Sequence, residues 1–233
     1  MATAAAAADT SADLGVTPFT ATYALQWKGL TAARSTLQLK SLGGGTYRYS
    51  SSNRARGIFR VAFPDAINQT SSFEIRDGRV APLGYEEDNG DAKDDVKLQF
   101  DWSARRARGI AQGKSVDQPL ESGTQDPLSV QIELMRDLAS GHAPVSFLLF
   151  DKHEATRYNY TREQTEMLDT PLGHLETVIY RSDRPGSDRV MRLWLAPSLG
   201  YLPVQAERRR KGKVEFALHI RELQRSTDAK TAR

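Results

Sequence analysis

Residues 190–223 decide the fold and read VMRLWLAPSLGYLPVQAERRRKGKVEFALHIREL. Apolar residues recur at every second position, which is typical of strands that bury one face. The alternation is interrupted around Pro197 and again at Lys211-Gly212, where the residues favour turns. Pro197 and Pro203 cannot donate a ladder hydrogen bond, so we expect them at strand ends, bulges or an edge. The block therefore predicts a β-meander at the margin of a curved sheet.

The same alternation recurs along most of the chain. Residues 96–102 read VKLQFDW, with an apolar side chain at every odd step. Asp77-Gly78 stands between two further alternating runs and predicts a tight hairpin turn. No alternation of strands with helices is visible, so a parallel sheet is disfavoured. These patterns predict a mainly β fold with one curled or barrel-like antiparallel sheet of about 11–13 strands.

One segment has helical rather than strand spacing. Asp126 is a suitable cap, Pro127 suits the first turn, and Gly141 suits the end of a helix. The pattern predicts one helix over about residues 127–139, placed against the sheet or in its mouth. Its apolar stripe consists of Leu128, Ile132, Met135, Leu138 and Ala139.

Composition limits the class of protein. The chain has 233 residues, 39% of them hydrophobic, no cysteine and a net charge of +3. Disulfides, thiolate metal sites and cysteine nucleophiles are therefore excluded, and neither a membrane helix nor a nucleic-acid surface is predicted. We expect a single domain over residues 17–224, with disordered tails at 1–16 and 225–233. The alanine-rich start is interpreted as the end of a removed signal peptide, with a plain disordered tail as the alternative.

Four groups of residues, in this order and spacing, resemble the DUF3108 family. They are Trp194 to Val204, Tyr23 with Gly29, Ser72-Phe73 followed by Gly78 and Pro82, and Asp126 to Ser129 at the start of the predicted helix. The resemblance implies an exported bacterial envelope protein with a β-rich fold and no established activity. It therefore implies a soluble periplasmic location and supplies no catalytic residue.

Catalytic and metal-binding motifs are missing from the sequence. His142, His153, His174 and His219 do not stand at metal-ligand spacings, and no nucleophile, phosphate-loop or dinucleotide motif occurs. Residues 86–95 contain six acidic side chains, which could ligate calcium but are better explained as a solvated loop. We predict no metal and no cofactor, and we favour a binding protein over an enzyme. Carboxylate chemistry on envelope polysaccharide or peptidoglycan is the enzymatic alternative.

Aromatic and basic residues suggest where a ligand would bind. If the curled sheet is hollow, its inner faces form an apolar cavity; if it is filled, the same side chains form the core. A basic and apolar patch would pair an acidic headgroup at the rim. The candidate ligand-binding residues are Trp27, Tyr49, Phe59, Phe63, Trp102, Trp194, Arg54, Arg56 and Arg60.

A second basic run is formed by Arg208, Arg209 and Arg210 next to the hairpin turn at Lys211-Gly212. It predicts either a contact for a protein partner or a charged edge that prevents strand aggregation. The sequence thus favours a periplasmic, non-enzymatic binding or carrier protein for a lipid-like amphiphile. A structural or scaffolding envelope protein that binds a protein partner is the alternative.

Overall fold

The structure is a computed structural model and describes residues 15–59 and 67–225. One sheet contains all fifteen strands of this part of the chain. The first eight strands are β1 (Phe19–Trp27), β2 (Leu30–Gly43), β3 (Thr46–Ala55), β4 (Ile67–Arg76), β5 (Arg79–Asp88), β6 (Val96–Asp101), β7 (Arg106–Ala111) and β8 (Lys114–Pro119). The remaining elements are β9 (Thr124–Gln125), the helix α1 (Ser129–Ala139), β10 (Ser146–Asp151), β11 (Glu154–Thr170), β12 (Gly173–Asp183), β13 (Arg189–Ala196), β14 (Leu202–Arg210) and β15 (Lys213–Arg225).

The strands follow the chain outward in both directions from a central pair. The sheet order is β8-β7-β6-β5-β4-β3-β2-β1-β15-β14-β13-β12-β11-β10-β9, so the first and last strands are neighbours. Every pairing is antiparallel except β9 with β10. The prediction of a mainly β, curled antiparallel sheet with one helix is therefore confirmed, and the sheet is not closed by a continuous ladder.

The strand number exceeds the predicted 11–13 for local reasons. β8 buries only Val116 of its six residues, and β9 has two residues. Neither strand therefore shows the alternation of apolar and polar residues that predicts a strand. Ile58 lies in a turn, and residues 60–66 are outside the described part of the chain. The predicted prolines behave as expected: Pro197 begins a 3₁₀ turn, and Pro203 lies at a bulge opposite Leu195.

The helix lies inside the curl of the sheet. Its residues Leu128, Ile132 and Met135 join one buried cluster, whereas Val130, Leu134 and Leu138 join a second. The first cluster contains side chains from strands along the whole sheet, whereas the buried strand residues of the second come from β10–β13. Val130 and Leu134 are buried although the predicted stripe does not include them, so α1 packs against both clusters.

The start and end of α1 are fixed by local hydrogen bonds. Asp126 Oδ1 accepts from the backbone N–H of Leu128 and of Ser129, both at 2.8 Å. Ser129 Oγ in turn accepts from the N–H of Asp126 at 2.8 Å, which completes a reciprocal cap. Gly141 follows the helix with φ of 81°, the left-handed conformation that ends helices.

The sheet has two arms, β1–β8 and β9–β15. The arms meet at β5. Val80 of β5 donates its N–H to Glu133 Oε2 of α1 at 2.9 Å and accepts from Gln125 Nε2 of β9 at 2.8 Å. Phe100 and Phe150, from β6 and β10, pack edge to face with centroids 5.9 Å apart. Side chains thus bridge the arms where no strand ladder joins them, and the curl becomes a barrel-like shell.

Candidate functional site: an apolar cleft in the curled sheet

A cleft of about 600 Å³ opens on the inner face of the shell. Direct pairing places Ala206, Leu218, Leu25, Ala33 and Ala55 in one row across β14, β15, β1, β2 and β3. Residues directly opposite each other share a sheet face, so three alanines of this row face the interior. Small side chains leave volume unfilled where the sheet curves, and the cleft forms there.

A second row of cross-strand paired residues, nearer to solvent, forms the mouth of the cleft. Met191, Arg208, Phe216 and Trp27 pair in this order across β13, β14, β15 and β1. Phe59 packs edge to face on Trp27, with centroids 6.0 Å apart and an angle of 86°. Trp27 remains 38% exposed. The mouth therefore presents large apolar side chains to solvent, which is unusual unless they serve binding.

Arg208 is the charged member of this row. Its guanidinium lies over the ring of Phe216, 4.4 Å from the centroid. Its Nε is 3.4 Å from Glu215 Oε2, but that buried Nε has no hydrogen-bond partner in the described part of the chain. A guanidinium N–H group can donate a charge-assisted hydrogen bond to an anionic oxygen of a ligand.

The floor of the cleft contains neutral polar groups above the core. Ser51, Asn53 and Gln69 line it from β3 and β4, and Gln131 lines it from α1. Directly below, Tyr49 is fully buried, and this burial raises the pKa of its phenol well above the usual value. The cleft thus ends on a neutral polar floor below apolar walls.

Gln69 connects this floor to a carboxylate that the cleft does not contact. Its Nε2 donates to Glu87 Oε2 at 2.8 Å and to the Tyr85 hydroxyl at 3.0 Å. Burial opposes ionisation of Glu87, but hydrogen bonds from Asn89, Gln69 and Tyr85 outweigh it and hold the pKa below the usual value. The group beneath the floor is therefore an anion.

The structure does not bring the predicted aromatic residues together in one place. Trp27 and Phe59 meet at the mouth, and Tyr49 lies below the floor. Trp102 is elsewhere, with its indole N–H donated to the carbonyl of Pro82 at 2.6 Å. Phe63 lies outside the described residues.

Trp194 is on the other face of the sheet. It pairs with Gln205, which pairs with His219, which pairs with Ala24. This row alternates with the row of Leu25 that lines the cleft. Trp194 is 4% exposed, its indole N–H donates to Glu166 at 3.1 Å, and Arg192 stacks on it at 4.9 Å. The concave surface therefore does not include Trp194.

The predicted basic patch does not line the cleft. Arg54 and Arg56 are exposed, and they alternate with Asn53 and Ala55, which face inward. Arg60 lies outside the described residues. Arg54 and Arg56 therefore lie outside the cleft.

The run 208–210 points in different directions. Arg208 faces the cleft, whereas Arg209 binds Glu207 at 2.8 Å and Arg210 lies 3.3 Å from Asp188. Alternation along β14 places Arg209 on the opposite face from Arg208 and Arg210, and Arg208 alone of the three lines the cleft. A contact of this run with a protein partner stays a prediction.

The acidic loop after β5 is organised by its own backbone. Asp88 accepts from the N–H of Gly90, Asp91 from that of Lys93, and Asp95 from that of Asn89, at 2.9–3.1 Å. Over residues 15–59 and 67–225, no three His, Asp or Glu side chains group as a metal site requires. The carboxylates stabilise turns in this loop.

A family model matches most of the chain. The family model of DUF3108, a protein of unknown function, matches residues 22–216. This chain belongs to the DUF3108 family. No curated protein matches it.

The fold of this DUF3108 protein is similar to solved structures of low identity. A β-barrel-like protein of the domain of unknown function DUF1849 from Brucella abortus matches with TM-score 0.59 and 13% identity, covering 91% of this chain and 99% of that one. A protein with a YmcC-like fold from Bacteroides fragilis matches with TM-score 0.38 and 11% identity, covering 89% and 95%. The first likeness supports a barrel-like fold and nothing about function.

Several cleft residues of the DUF3108 protein were not predicted from the sequence. The alternation of Phe216 and Leu218 with their neighbours in β15 is visible in the sequence. The sequence does not show that they lie on the inner face of the sheet. Gln131 gave no signal, since a polar residue on a helix usually faces solvent. In addition, no helix in the described ranges is long and apolar enough to cross a membrane.

Proposed function

We propose that this DUF3108 protein is a non-enzymatic binding or carrier protein of the periplasm that holds a lipid-like amphiphile in the cleft. The observation that carries the proposal is an open, apolar volume of about 600 Å³ on the inner face of the sheet. Small-molecule sites typically have volumes of about 300–1,000 Å³, apolar walls and a few polar groups. A protein that needed only a stable core would gain by filling this space.

The apolar part of the ligand lies against the walls and mouth. Leu25, Leu218 and Phe216 provide a continuous apolar surface from two neighbouring strands, β1 and β15. Trp27 and Phe59 are already packed together at the mouth, so the entering chain meets a formed aromatic surface. Burial there stabilises the complex by about 25 cal/mol per Å² of apolar surface removed from water.

The acidic end of the ligand stays at the rim beside Arg208. Of the described cleft-lining residues, Arg208 alone carries a charge, and its side chain is 42% exposed although Nε is in an ion pair with Glu215. A carboxylate or phosphate would form a charge-assisted hydrogen bond with Arg208. A neutral amphiphile would bind without this contribution.

Ligand binding is tested by native mass spectrometry of the protein purified from envelope extracts, and by titration with a fluorescent fatty acid. Ala206→Phe places a ring in the cleft and should weaken binding about tenfold or more, because the volume is lost. Ala24→Phe is the matched control, since Ala24 lies on the opposite face of the sheet and should bind normally. Absence of both a co-purified lipid and fatty-acid uptake by the unaltered protein would overturn the proposal.

The periplasmic location rests on the family resemblance and needs its own experiment. The native gene product should appear in the osmotic-shock fraction together with a periplasmic marker. Recovery with the cytoplasmic marker would refute this location without affecting ligand binding.

A further inference from the structure

Two neighbouring loops beside the mouth of the cleft expose large apolar side chains. Leu30 is 62% exposed and Ile58 is 81% exposed, and neither is among the described residues that line the cleft. Leu30 pairs directly with Trp27, and Ile58 precedes Phe59, which packs on Trp27. Single exposed apolar residues are common, but a contiguous group beside an opening marks an interaction surface.

The backbone holds both loops in place. The turn between β1 and β2 consists of Lys28 and Gly29, with φ of 47° and 82°, and two positive φ angles define a tight hairpin turn. The N–H of Lys28 also donates to the carbonyl of Glu215 at 3.1 Å. The second loop is fixed to β2, since Arg56 donates its N–H to the carbonyl of Ala32 at 2.8 Å. The exposed side chains therefore belong to a formed surface.

Each loop also carries a cation that is free to meet an anion. Lys28 follows Trp27, and its Nζ lies 4.8 Å from the centroid of that ring. Arg56 begins the turn that contains Ile58. In the described part of the chain, no carboxylate forms an ion pair with either cation. Cations beside exposed apolar side chains complement a surface that is both anionic and apolar.

We propose that these two loops dock the protein on the surface of an anionic phospholipid bilayer, with the mouth of the cleft facing the lipid. The inference rests on the proposed function and names the partner that supplies or receives the ligand. Leu30 and Ile58 insert below the headgroups, and Trp27 lies at the interface, where tryptophan is favoured. Lys28 and Arg56 contact the lipid phosphates.

Docking in this orientation removes an energetic obstacle to ligand transfer. An acyl chain that crosses water exposes its whole apolar surface, which is unfavourable. When the mouth lies against the bilayer, the chain moves directly between two apolar environments. The exposed apolar side chains at the mouth therefore serve entry of the ligand as well as docking.

The acidic loop after β5 determines which side of the opening makes the contact. It lies at the same end of the sheet, since Asp88 pairs with Asn68 near the start of β4. Residues 88–95 contain four aspartates and one lysine, so anionic lipid would repel this loop. The strands β3 and β4 separate it from the turn between β1 and β2. The contact therefore uses the β1–β2 turn and the loop after β3, with the acidic loop turned toward water.

Flotation with vesicles tests the docking. The unaltered protein should bind vesicles of phosphatidylcholine with about one-third phosphatidylglycerol about tenfold or more tightly than vesicles of phosphatidylcholine alone, because two cations meet the anionic surface. Replacing Leu30 and Ile58 together by asparagine should weaken binding about tenfold or more, since two apolar side chains no longer insert. Leu42→Asn is the control, because Leu42 is 48% exposed at the opposite end of β2, and it should bind normally.

A second pair of variants separates charge from apolar insertion. Lys28→Gln combined with Arg56→Gln should remove most of the preference for anionic vesicles. Lys40→Gln combined with Arg48→Gln makes the same change of charge at an exposed pair of β2 and β3 and should keep the preference.

Titration with a free fluorescent fatty acid distinguishes this inference from the proposed function. The variants at Leu30, Ile58, Lys28 and Arg56 should bind the free acid normally, because none of these residues lines the cleft. If the unaltered protein bound the acid but no vesicles, the inference would be overturned and the proposed function would stand. Equal losses of vesicle binding in Leu42→Asn and in the Leu30 and Ile58 variant would also overturn it. Vesicle binding without uptake of the acid would support docking and contradict the proposed function.

Discussion

The guanidinium of Arg208 lies 4.4 Å from the ring centroid of Phe216, its direct neighbour on the next strand. Cross-strand pairing therefore fixes a cation on the apolar wall of the cleft. An arginine that stacks on an aromatic ring keeps its hydrogen-bonding edge available, and the ring limits the freedom of the side chain before a ligand arrives. Charge and apolar surface are thus combined in one pair of residues.

Replacing Arg208 by glutamine should affect acidic ligands selectively. Arg208→Gln removes the charge, so binding of stearic acid should weaken about tenfold, whereas binding of stearyl alcohol should change little. Displacement titrations with both ligands measure this difference. Arg209→Gln is the control, since Arg209 pairs with Glu207 and does not line the cleft. Equal losses for acid and alcohol would show that Arg208 acts by packing and not by charge.

Asp126 should make stability depend on pH. Burial raises the pKa of this carboxyl from 3.8 to about 6, although hydrogen bonds from Ser71 and from the start of α1 oppose the shift. The folded state therefore holds the proton more tightly than the unfolded chain, and stability falls as the pH rises from about 4 through about 6. The contribution is on the order of 2–3 kcal/mol.

Asp126→Asn isolates this effect. Asparagine also caps helices but does not titrate, so the variant should lack this part of the pH dependence. Urea unfolding of both proteins at several values between about pH 4 and pH 8 gives the difference. Parallel pH profiles for the variant and the unaltered protein would contradict the assignment to Asp126.

Glu133 should be needed to join the two arms of the sheet. It is 2% exposed, and it accepts the N–H of Val80, which pairs with Ile75 of β4 but lies outside the part of β5 that pairs with β6. Glu133→Leu leaves this donor unpaired and should lower the free energy of unfolding by about 2–3 kcal/mol. Glu133→Gln keeps an acceptor oxygen and should cost less. Urea unfolding measures both.

A glutamate-to-leucine substitution at an exposed position provides the reference for Glu133→Leu. Glu222 is 61% exposed and forms an ion pair with Arg34, which is worth little in water. Glu222→Leu should therefore change stability by about 0.5 kcal/mol or less. If the two leucine variants were equally stable, the bridge through Val80 would have no structural role.

The sequence predicted the elements better than the site, for a physical reason. Alternation in β13 and β15 marks strands, but it does not say which face is inside. Bulges shift the register opposite Trp194 and opposite Arg208, so a pattern read in one strand cannot be carried to its neighbour. Trp194 was therefore placed with Trp27, although the structure separates them.

The helix shows the same limit in another form. Asp126, Pro127 and Gly141 marked its ends because capping is local. Its position inside the shell depends on Val130 and Leu134 meeting the distant strands β10–β13. Such contacts arise from the curvature of the whole sheet, which no short pattern contains, and Gln131 reaches the cleft only as a consequence.

Trp27 should report ligand entry by its fluorescence. It is the half-exposed tryptophan at the mouth, packed on Phe59, so a bound chain should shield it from water and shift its emission to the blue. Trp102 and Trp194 lie away from the cleft, and their indole N–H groups are bonded within the protein. Trp27→Phe should therefore abolish the ligand-induced shift, whereas Trp102→Phe and Trp194→Phe should retain it. A shift that survives in Trp27→Phe but disappears in Trp194→Phe would place the ligand on the outer face of the sheet instead.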